Sequence, residues 1–390
     1  MRGSIIERNG SYRIAVSLGK DPVTQKYKRY FETVRRNKKD AQRRLRELLS
    51  SLDNGTFSKS SKLTVASYLE QWLRDYCQPN LAPHTTESYE FFIRRHIIPD
   101  IGLTPLCQLK PADLQHLYAS KLSSGRRDGT GGLGSRSVKY IHTTLHRALN
   151  SACKMGLIVR NPADAVDVPK ITQREMRTMD ETDVHLLLEF AKNTPYYALF
   201  YLALFSGMRR SELLGFRWCD LDLLLCQASI SRTLHRLHTG ETIIRPCKTP
   251  KSKRLVSLSP STVIVLREHK EAEAKQRGSL SLPFTDDDYV FAHYDGSPLL
   301  PDSVTQAWRK LARRIGLKGI RLHDCRHTHA SLLLKQNVHP AIVAQRLGHA
   351  SVQITLDVYS HILPGLQRAA ANRFDDILMQ KQRESVLKDL

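Results

Sequence analysis

Three polar clusters interrupt apolar stretches in the C-terminal half of this 390-residue chain, where polarity costs free energy unless it serves something. The first, Ser206-Gly207-Met208-Arg209-Arg210-Ser211-Glu212, follows the apolar run Tyr197–Phe205. A glycine lets the backbone turn closely, so Arg209 projects where that helix stops, and Glu212 can pair with it and steady its guanidinium fork. Standing alone, the pair would read as a helix-end ion pair on a surface. The second is Arg321-Leu322-His323-Asp324-Cys325-Arg326-His327-Thr328-His329-Ala330-Ser331. If helical, His323, Arg326 and His327 lie within one turn, because i, i+3 and i+4 share a face. Two chemistries compete there. His at i and i+4 near Cys325 and His329 resembles a metal pair, but Cys325 points off that face and no distant cysteine cluster completes a ligand set. A His–Arg pair presented to a phosphate fits better, since guanidinium binds phosphate oxygens bidentately and imidazole can donate or move a proton. The third cluster is Leu347-Gly348-His349-Ala350-Ser351, then Thr355 and Val358-Tyr359-Ser360-His361. A Tyr after an amphipathic helix is ordinarily packing; in the company of two Arg, two His and a Lys candidate it becomes a candidate nucleophile, whose ester keeps the energy of the bond it replaces.

Composition narrows the substrate. The chain carries 60 Lys+Arg against 38 Asp+Glu, a formal charge of +22, and its apolar fraction of 41% is enough to bury real cores. That excludes a wholly disordered basic tail and points to a polyanionic partner, nucleic acid before an anionic membrane surface. Seven scattered cysteines without a C-x-x-C pair exclude a disulfide framework or a zinc-finger module. The longest apolar run, 198–205, is too short to span a bilayer, and the first residues lack the apolar stretch of a signal peptide. The expectation is a reduced, soluble, cytoplasmic protein with no membrane partner.

The elements that must position these clusters form a multidomain, mainly α chain with small β-sheets. Residues 1–60 hold 15 basic against 6 acidic residues, a net +9. Tyr12, Ile14, Val16 and Leu18 alternate as in a half-buried strand, Lys20-Asp21-Pro22 is turn chemistry, and 26–33 is a second strand. From Asn37 the period turns helical, with Leu45, Leu48, Leu49 and Leu52 on one stripe closed by Asn54-Gly55. A basic sheet face without its acidic complement suits DNA. After a Ser/Lys linker at 57–62, Thr64 caps a helix with a Val65, Tyr68, Leu69, Trp72, Leu73 core stripe. Further helices start near Pro83, at Pro111 and near Ser137, the last after the Gly-rich 123–135. That loop lacks a Lys-Ser/Thr ending and a preceding strand, so it reads as a flexible connection rather than a phosphate cradle. Arg94, Arg95, Lys139, His142 and Arg147 are candidates for a groove-facing surface. A polar linker at 166–178 leads to a last domain that opens on the N-cap Asp180. It is mostly helical, with strand-like stretches at 227–232, 241–247 and 254–258.

The order Arg…Lys…His-x-x-Arg…His…Tyr resembles the signature of the tyrosine recombinases, the family of phage and transposon integrases, and His349 to Tyr359 is the family's usual ten-residue step. The resemblance implies an arm-site DNA-binding domain over 1–58, a helical core-site DNA-binding domain over 64–165, and a mixed α+β catalytic domain over 175–390. Carried over by position, Arg209 and Arg326 would clamp the scissile phosphate and Tyr359 would attack it, leaving a 3′-phosphotyrosine. His323 and His349 would bind a non-bridging oxygen and assist proton movement. Lys248 resembles the family's β-hairpin general acid, with Lys251 and Lys253 close by, and Glu212 would orient Arg209. Ser206 stands where the family commonly has Thr, and Cys325 where it has an apolar residue. No metal and no cofactor are implied.

The family's behaviour further implies a homotetramer on double-stranded DNA at core and arm sites. It also implies accessory excision or DNA-bending proteins, a nucleoid-associated place in a bacterial host, and docking of the C-terminal segment from Phe374 on a neighbour. The expected function is integration and excision of a mobile element. The rivals are a non-catalytic DNA-binding regulator, a metal-dependent nuclease or relaxase, and a chromosome-dimer-resolving recombinase.

Overall fold

Period-two patterning at the start of the chain becomes a three-stranded antiparallel sheet in the order β1 (Gly3–Arg8), β2 (Ser11–Lys20), β3 (Tyr27–Val34). The structure, a computed structural model, describes residues 3–8, 10–20, 27–35, 37–53, 63–126, 128–171, 177–247, 252–359, 371–376 and 378. The turn at Asp21-Pro22 and the linker at 57–62 lie outside them. Strand β1 was not among the expected elements: its Ser4, Ile6, Glu7 and Arg8 are exposed, so no clean alternation marks it. Ile14, Val16 and Leu48 form the core beneath α1 (Lys38–Asp53), with Ile5, Tyr30, Val34, Leu45 and Leu49 packed around them.

The chain divides into two compact units, Met1–Gln173 and Arg174–Leu390. The first also holds a helical body of α2 (Val65–Trp72), α3 (Gln78–Asn80), α4 (Pro83–Phe92), α5 (Ile98–Ile101), α6 (Pro111–Ser124) and α7 (Ser135–Lys154). Thr64 caps α2 by accepting from the Ser67 amide, and Val65, Leu69, Trp72, Ile93, Leu114 and Ile141 are buried together. Two π-helical turns, Leu73–Cys77 and Ile93–Ile97, each run directly into an Xaa-Pro pair, Gln78-Pro79 and Ile98-Pro99. A proline has no amide to donate and crowds the carbonyl four residues back, so the helix widens by one residue instead of breaking. Of the expected groove-facing residues, Arg147 and His142 are half-buried, whereas Arg94 is exposed in ion pairs at the surface. Arg94 pairs with Glu70 and Glu90, Arg147 donates to the Tyr76 and Tyr89 hydroxyls, and His142 Nδ1 lies 3.1 Å from the Tyr118 hydroxyl. Arg95 and Lys139 are exposed.

The second unit runs α8 (Glu181–Ala191), α9 (Tyr197–Ser206), α10 (Arg210–Leu214), β4 (Leu221–Asp222), β5 (Gln227–Ile230), β6 (Arg232–Arg236), β7 (Thr242–Pro246) and β8 (Arg254–Ser257). Then come α11 (Pro260–Ser279), α12 (Pro301–Arg314), α13 (Asp324–Lys335), α14 (Pro340–Leu347) and α15 (Val352–Tyr359). Asp180 caps α8 through the Asp183 amide. The stretch at 227–232 splits rather than forming one strand: β5 joins the sheet β4-β5-β8 while β6 pairs only with β7. Helix α9 is apolar on every side because α8, α11 and α13 surround it. Helix α13 also packs on α14, and α14 on β8 and α15. Among the described residues no helix is long and apolar enough to cross a membrane.

Candidate active site

Helix α9 ends at Gly207, whose φ of +64° is the left-handed conformation glycine adopts without strain. Buried Ser206 supports the turn, its hydroxyl donating to Leu202 O and accepting from the Met208 amide. The next helix opens with Arg209 at its N-cap. The Arg209 amide donates to Glu212 Oε2 at 2.8 Å, and its Nη1 donates to Oε1 at 2.7 Å. Its neighbour Arg210 turns the other way, to Thr305 and Pro301 O on α12. Glu212 is almost fully buried. Burial pushes its carboxyl up, but the hydrogen bonds and charge of Arg254, with Arg209 beside it, outweigh that and hold it below the usual carboxylate range.

The second gathering point is the C-terminus of α14. Helix ends leave carbonyls without intrahelical partners, and these carry the negative end of the helix dipole. Gly348, at φ +67°, turns the chain, and the amides of Gly348 and His349 satisfy Gln345 O and Ala344 O. The three carbonyls that follow face three arginines. Arg254 Nε donates to Arg346 O at 2.7 Å, Arg326 Nη2 to Leu347 O at 2.6 Å, and Arg209 Nη2 makes a long contact of 3.5 Å with Gly348 O. Arg326 also donates to Gly207 O at 2.9 Å, joining the turn after α9 to the end of α14. Two arginines 117 residues apart in sequence therefore meet on adjacent peptide groups.

The imidazoles sit around this point. His349 Nδ1 lies 2.8 Å from the hydroxyl of buried Thr355, which ties α15 to the end of α14. Burial first, then the charges of Arg326, Arg209 and Arg254, press the His349 imidazole down to about 4. It is therefore neutral at neutral pH, able to accept or donate one hydrogen bond at its second nitrogen. His323 stands at the N-cap of α13, its ring edge-on to His327 at 5.1 Å, and desolvation, then His327 and Arg326, lower its pKa. Cys325 is buried in the main core on the opposite side of α13, where burial drives its thiol well up.

The structure thus brings Arg209, Glu212, Arg326 and His349 together and sets His323 beside Arg326. Lys248 and Lys251 lie outside the described residues. Tyr359 closes α15 one turn beyond Thr355, and of it the backbone alone is described.

The profile of the phage integrase family matches residues 177–365, which contain all of these positions, and that of the phage integrase N-terminal SAM-like domain matches 64–123. The chain belongs to the phage integrase family of tyrosine recombinases. It is 27% identical to the ICEBs1 integrase of Bacillus subtilis over 373 residues, 95% of this chain and 98% of that protein. With an XerC-like tyrosine recombinase of Caldanaerobacter subterraneus it shares 24% over 392 residues, again 95% of this chain and 98% of the relative. The Tn1549 transposon integrase in complex with transposon right end DNA superposes with a TM-score of 0.68 at 20% identity, over 80% of this chain and 99% of that one. A lambda integrase tetramer bound to a Holliday junction gives 0.56 at 19%, over 89% and 95%. These structures show that the fold is shared.

Within this family member, sequence reasoning gave no part to Arg254 or Arg346 and placed His329 only beside a possible metal pair. Arg254 binds both Glu212 oxygens, at 3.1 and 3.0 Å. Arg346 donates to Phe205 O, Ser257 O and His329 Nε2, the last at 3.0 Å. His329 Nδ1 lies 2.8 Å from Leu204 O, which with the Arg346 donor fixes a neutral Nδ1–H tautomer. Burial and then Arg346 push that imidazole down to about 3. One signal was available: Arg254 lies in phase with Val256 and Leu258, both buried, and a cation on the buried face of a strand demands an anion.

Proposed function

We propose that the chain is a site-specific DNA recombinase that cuts and rejoins DNA through a 3′-phosphotyrosine, integrating and excising a mobile element. The observation that carries the reading is the meeting of Arg209 and Arg326 on successive carbonyls beside a neutral His349. Backbone carbonyls hold the guanidiniums where a phosphate's non-bridging oxygens would take their place. Tyr359 Oη attacks the scissile phosphorus, the P–O5′ bond breaks, and Lys248 protonates the leaving oxygen. Both arginines neutralise the charge building on the phosphorane, which bound donors stabilise more in the transition state than in the ground state. His349 and His323 hold a non-bridging oxygen and assist removal of the phenolic proton. Rejoining is the reverse reaction with a different 5′-hydroxyl. Because the tyrosyl ester conserves the phosphodiester's energy, the exchange needs no nucleotide hydrolysis.

The remaining parts supply DNA binding. The face of β1–β3 turned away from α1 presents Arg8, Arg13 and Arg29 with Phe31, the Arg13 guanidinium lying 4.3 Å over the Phe31 ring. Glu7 and Glu32 fall on the opposite phase. Such a face suits arm-site DNA over 1–58, with 64–165 on the core site and 175–390 doing the chemistry. Action as a tetramer on two sites, with accessory proteins choosing direction, at a bacterial nucleoid, follows from the same reading. The test is Tyr359→Phe with a nicked suicide duplex carrying the end of the chain's own element. The wild type should become covalently attached to DNA, whereas the variant should bind equally and form no adduct; an adduct that persists in the variant removes Tyr359 as nucleophile.

A further inference from the structure

Arg254 has no part in the reaction as derived above, yet its surroundings are built with care. Its side chain is 4% exposed and that of Glu212 1%. All its guanidinium nitrogens are engaged: Nη1 and Nη2 on Glu212, Nη1 also on Ser252 O at 3.2 Å, and Nε on Arg346 O at 2.7 Å. The fork thus joins the carboxylate that holds Arg209 to the helix end that holds Arg326. Gly348 is fitted to it: a Cβ there would stand 3.0 Å from Arg254 Nη1 and 3.1 Å from its Cδ, at a φ that already favours glycine. A buried ion pair of this kind adds little net stability over a well-packed apolar pair, so stability alone is a poor reason for it.

We infer that Arg254 is a positioning residue for strand cleavage, setting the spacing between the Arg209 and Arg326 guanidiniums by bridging Glu212 to the C-terminus of α14. The inference rests on the recombinase reading above and adds to it a residue that touches no substrate. Its consequence follows from geometry. Without the fork, Glu212 keeps only Arg209, and the α14 end loses the donor on Arg346 O. Arg209 and Arg326 then hold their charges but no longer share a fixed separation, and displacement on the order of 1 Å in a reacting constellation costs about 100-fold in rate. A second consequence concerns protons. The charged and titratable groups facing Glu212 are Arg254 on β8, Arg209 at the head of α10 and the Cys247 thiol just past β7. Removing Arg254 leaves burial opposed by Arg209 alone, so the carboxyl's pKa rises; on acidification Glu212 takes up a proton and releases Arg209.

The experiment measures single-turnover formation of the covalent adduct from pH 5 to pH 8 on the same nicked duplex, for wild type, Arg254→Gln, Arg254→Lys and Arg254→Gln/Glu212→Gln. Each protein's thermal unfolding and duplex affinity are recorded alongside. Arg254→Gln should cleave about 100-fold slower at saturating DNA with unchanged affinity, and its rate should fall further toward low pH along a limb the wild type lacks. Arg254→Lys should move that limb back toward the wild type while leaving the rate below it, because ammonium restores charge without the fork. The double variant should lose the limb altogether. If Arg254→Gln does not fold, Arg254→Lys decides alone: a wild-type rate overturns the proposal. So does an Arg254→Gln enzyme that cleaves normally, or one slowed equally at every pH. A wild type that forms no adduct at all overturns the recombinase reading instead, which keeps the two failures apart.

Discussion

Acid is the stress to which this site is most exposed, because its histidines are held neutral among arginines. His349 is pressed down to about 4 and His329 to about 3, against an ordinary value of 6.5. Between pH 6.5 and about 4 the unfolded chain therefore binds protons that the folded chain refuses. Stability rises with pH across that window and is fully present above it, with a slope of up to about 1.4 kcal/mol per pH unit for each such histidine. Urea unfolding of the catalytic unit's transition at pH 7.5, 6 and 5 should show its midpoint falling stepwise, and a midpoint constant over that range would contradict the neutral histidines. The identities of Arg209, Arg326, His349 and Glu212 were legible because arginine and histidine inside apolar segments are costly and therefore conspicuous. Arg346 was not, since a lone arginine near a helix end is commonplace, and only folding shows its fork filled by Phe205 O, Ser257 O and His329.

At the scale of elements, the site is a junction of helix ends: the C-terminus of α9, the N-termini of α10 and α13, and the C-terminus of α14. Gly207 allows the closest approach. A Cβ there would lie 2.7 Å from Leu347 Cδ2 and 2.9 Å from His329 Cδ2, at a φ that costs an L-residue about 1–2 kcal/mol by itself. Gly207→Ala should therefore lower the melting temperature by several degrees and reduce cleavage, since Gly207 O is one of the carbonyls that hold Arg326. A variant with wild-type melting and wild-type cleavage would show that this approach is not limiting. Spacing alone said that His323, Arg326 and His327 would share a face if that stretch were helical, and α13 with His323 at its N-cap supplies the helix. The division of 227–232 into two sheets could not be read from spacing, because both pieces alternate alike and only their partners differ.

For the whole molecule, the charge of +22 is the dominant quantity. Binding to a duplex of arbitrary sequence should weaken steeply with salt, and each phosphate contact removed should reduce the log–log slope by about 0.9. Replacing Arg13 and Arg29 by Ala should flatten that slope by about two contacts' worth; an unchanged slope would mean that this sheet face does not meet DNA. The net charge, the periods of strand and helix, the caps at Thr64 and Asp180 and the residue types of the site were all determined by the sequence, because each depends on near neighbours along the chain. Only the tertiary structure decided that three arginines converge on carbonyls 346–348, that His142 and Arg147 turn inward to partners, and that Glu212 serves two arginines rather than one. Those outcomes rest on contacts between residues tens to more than a hundred positions apart, and no local pattern encodes which of several exposed-looking cations will find a buried partner.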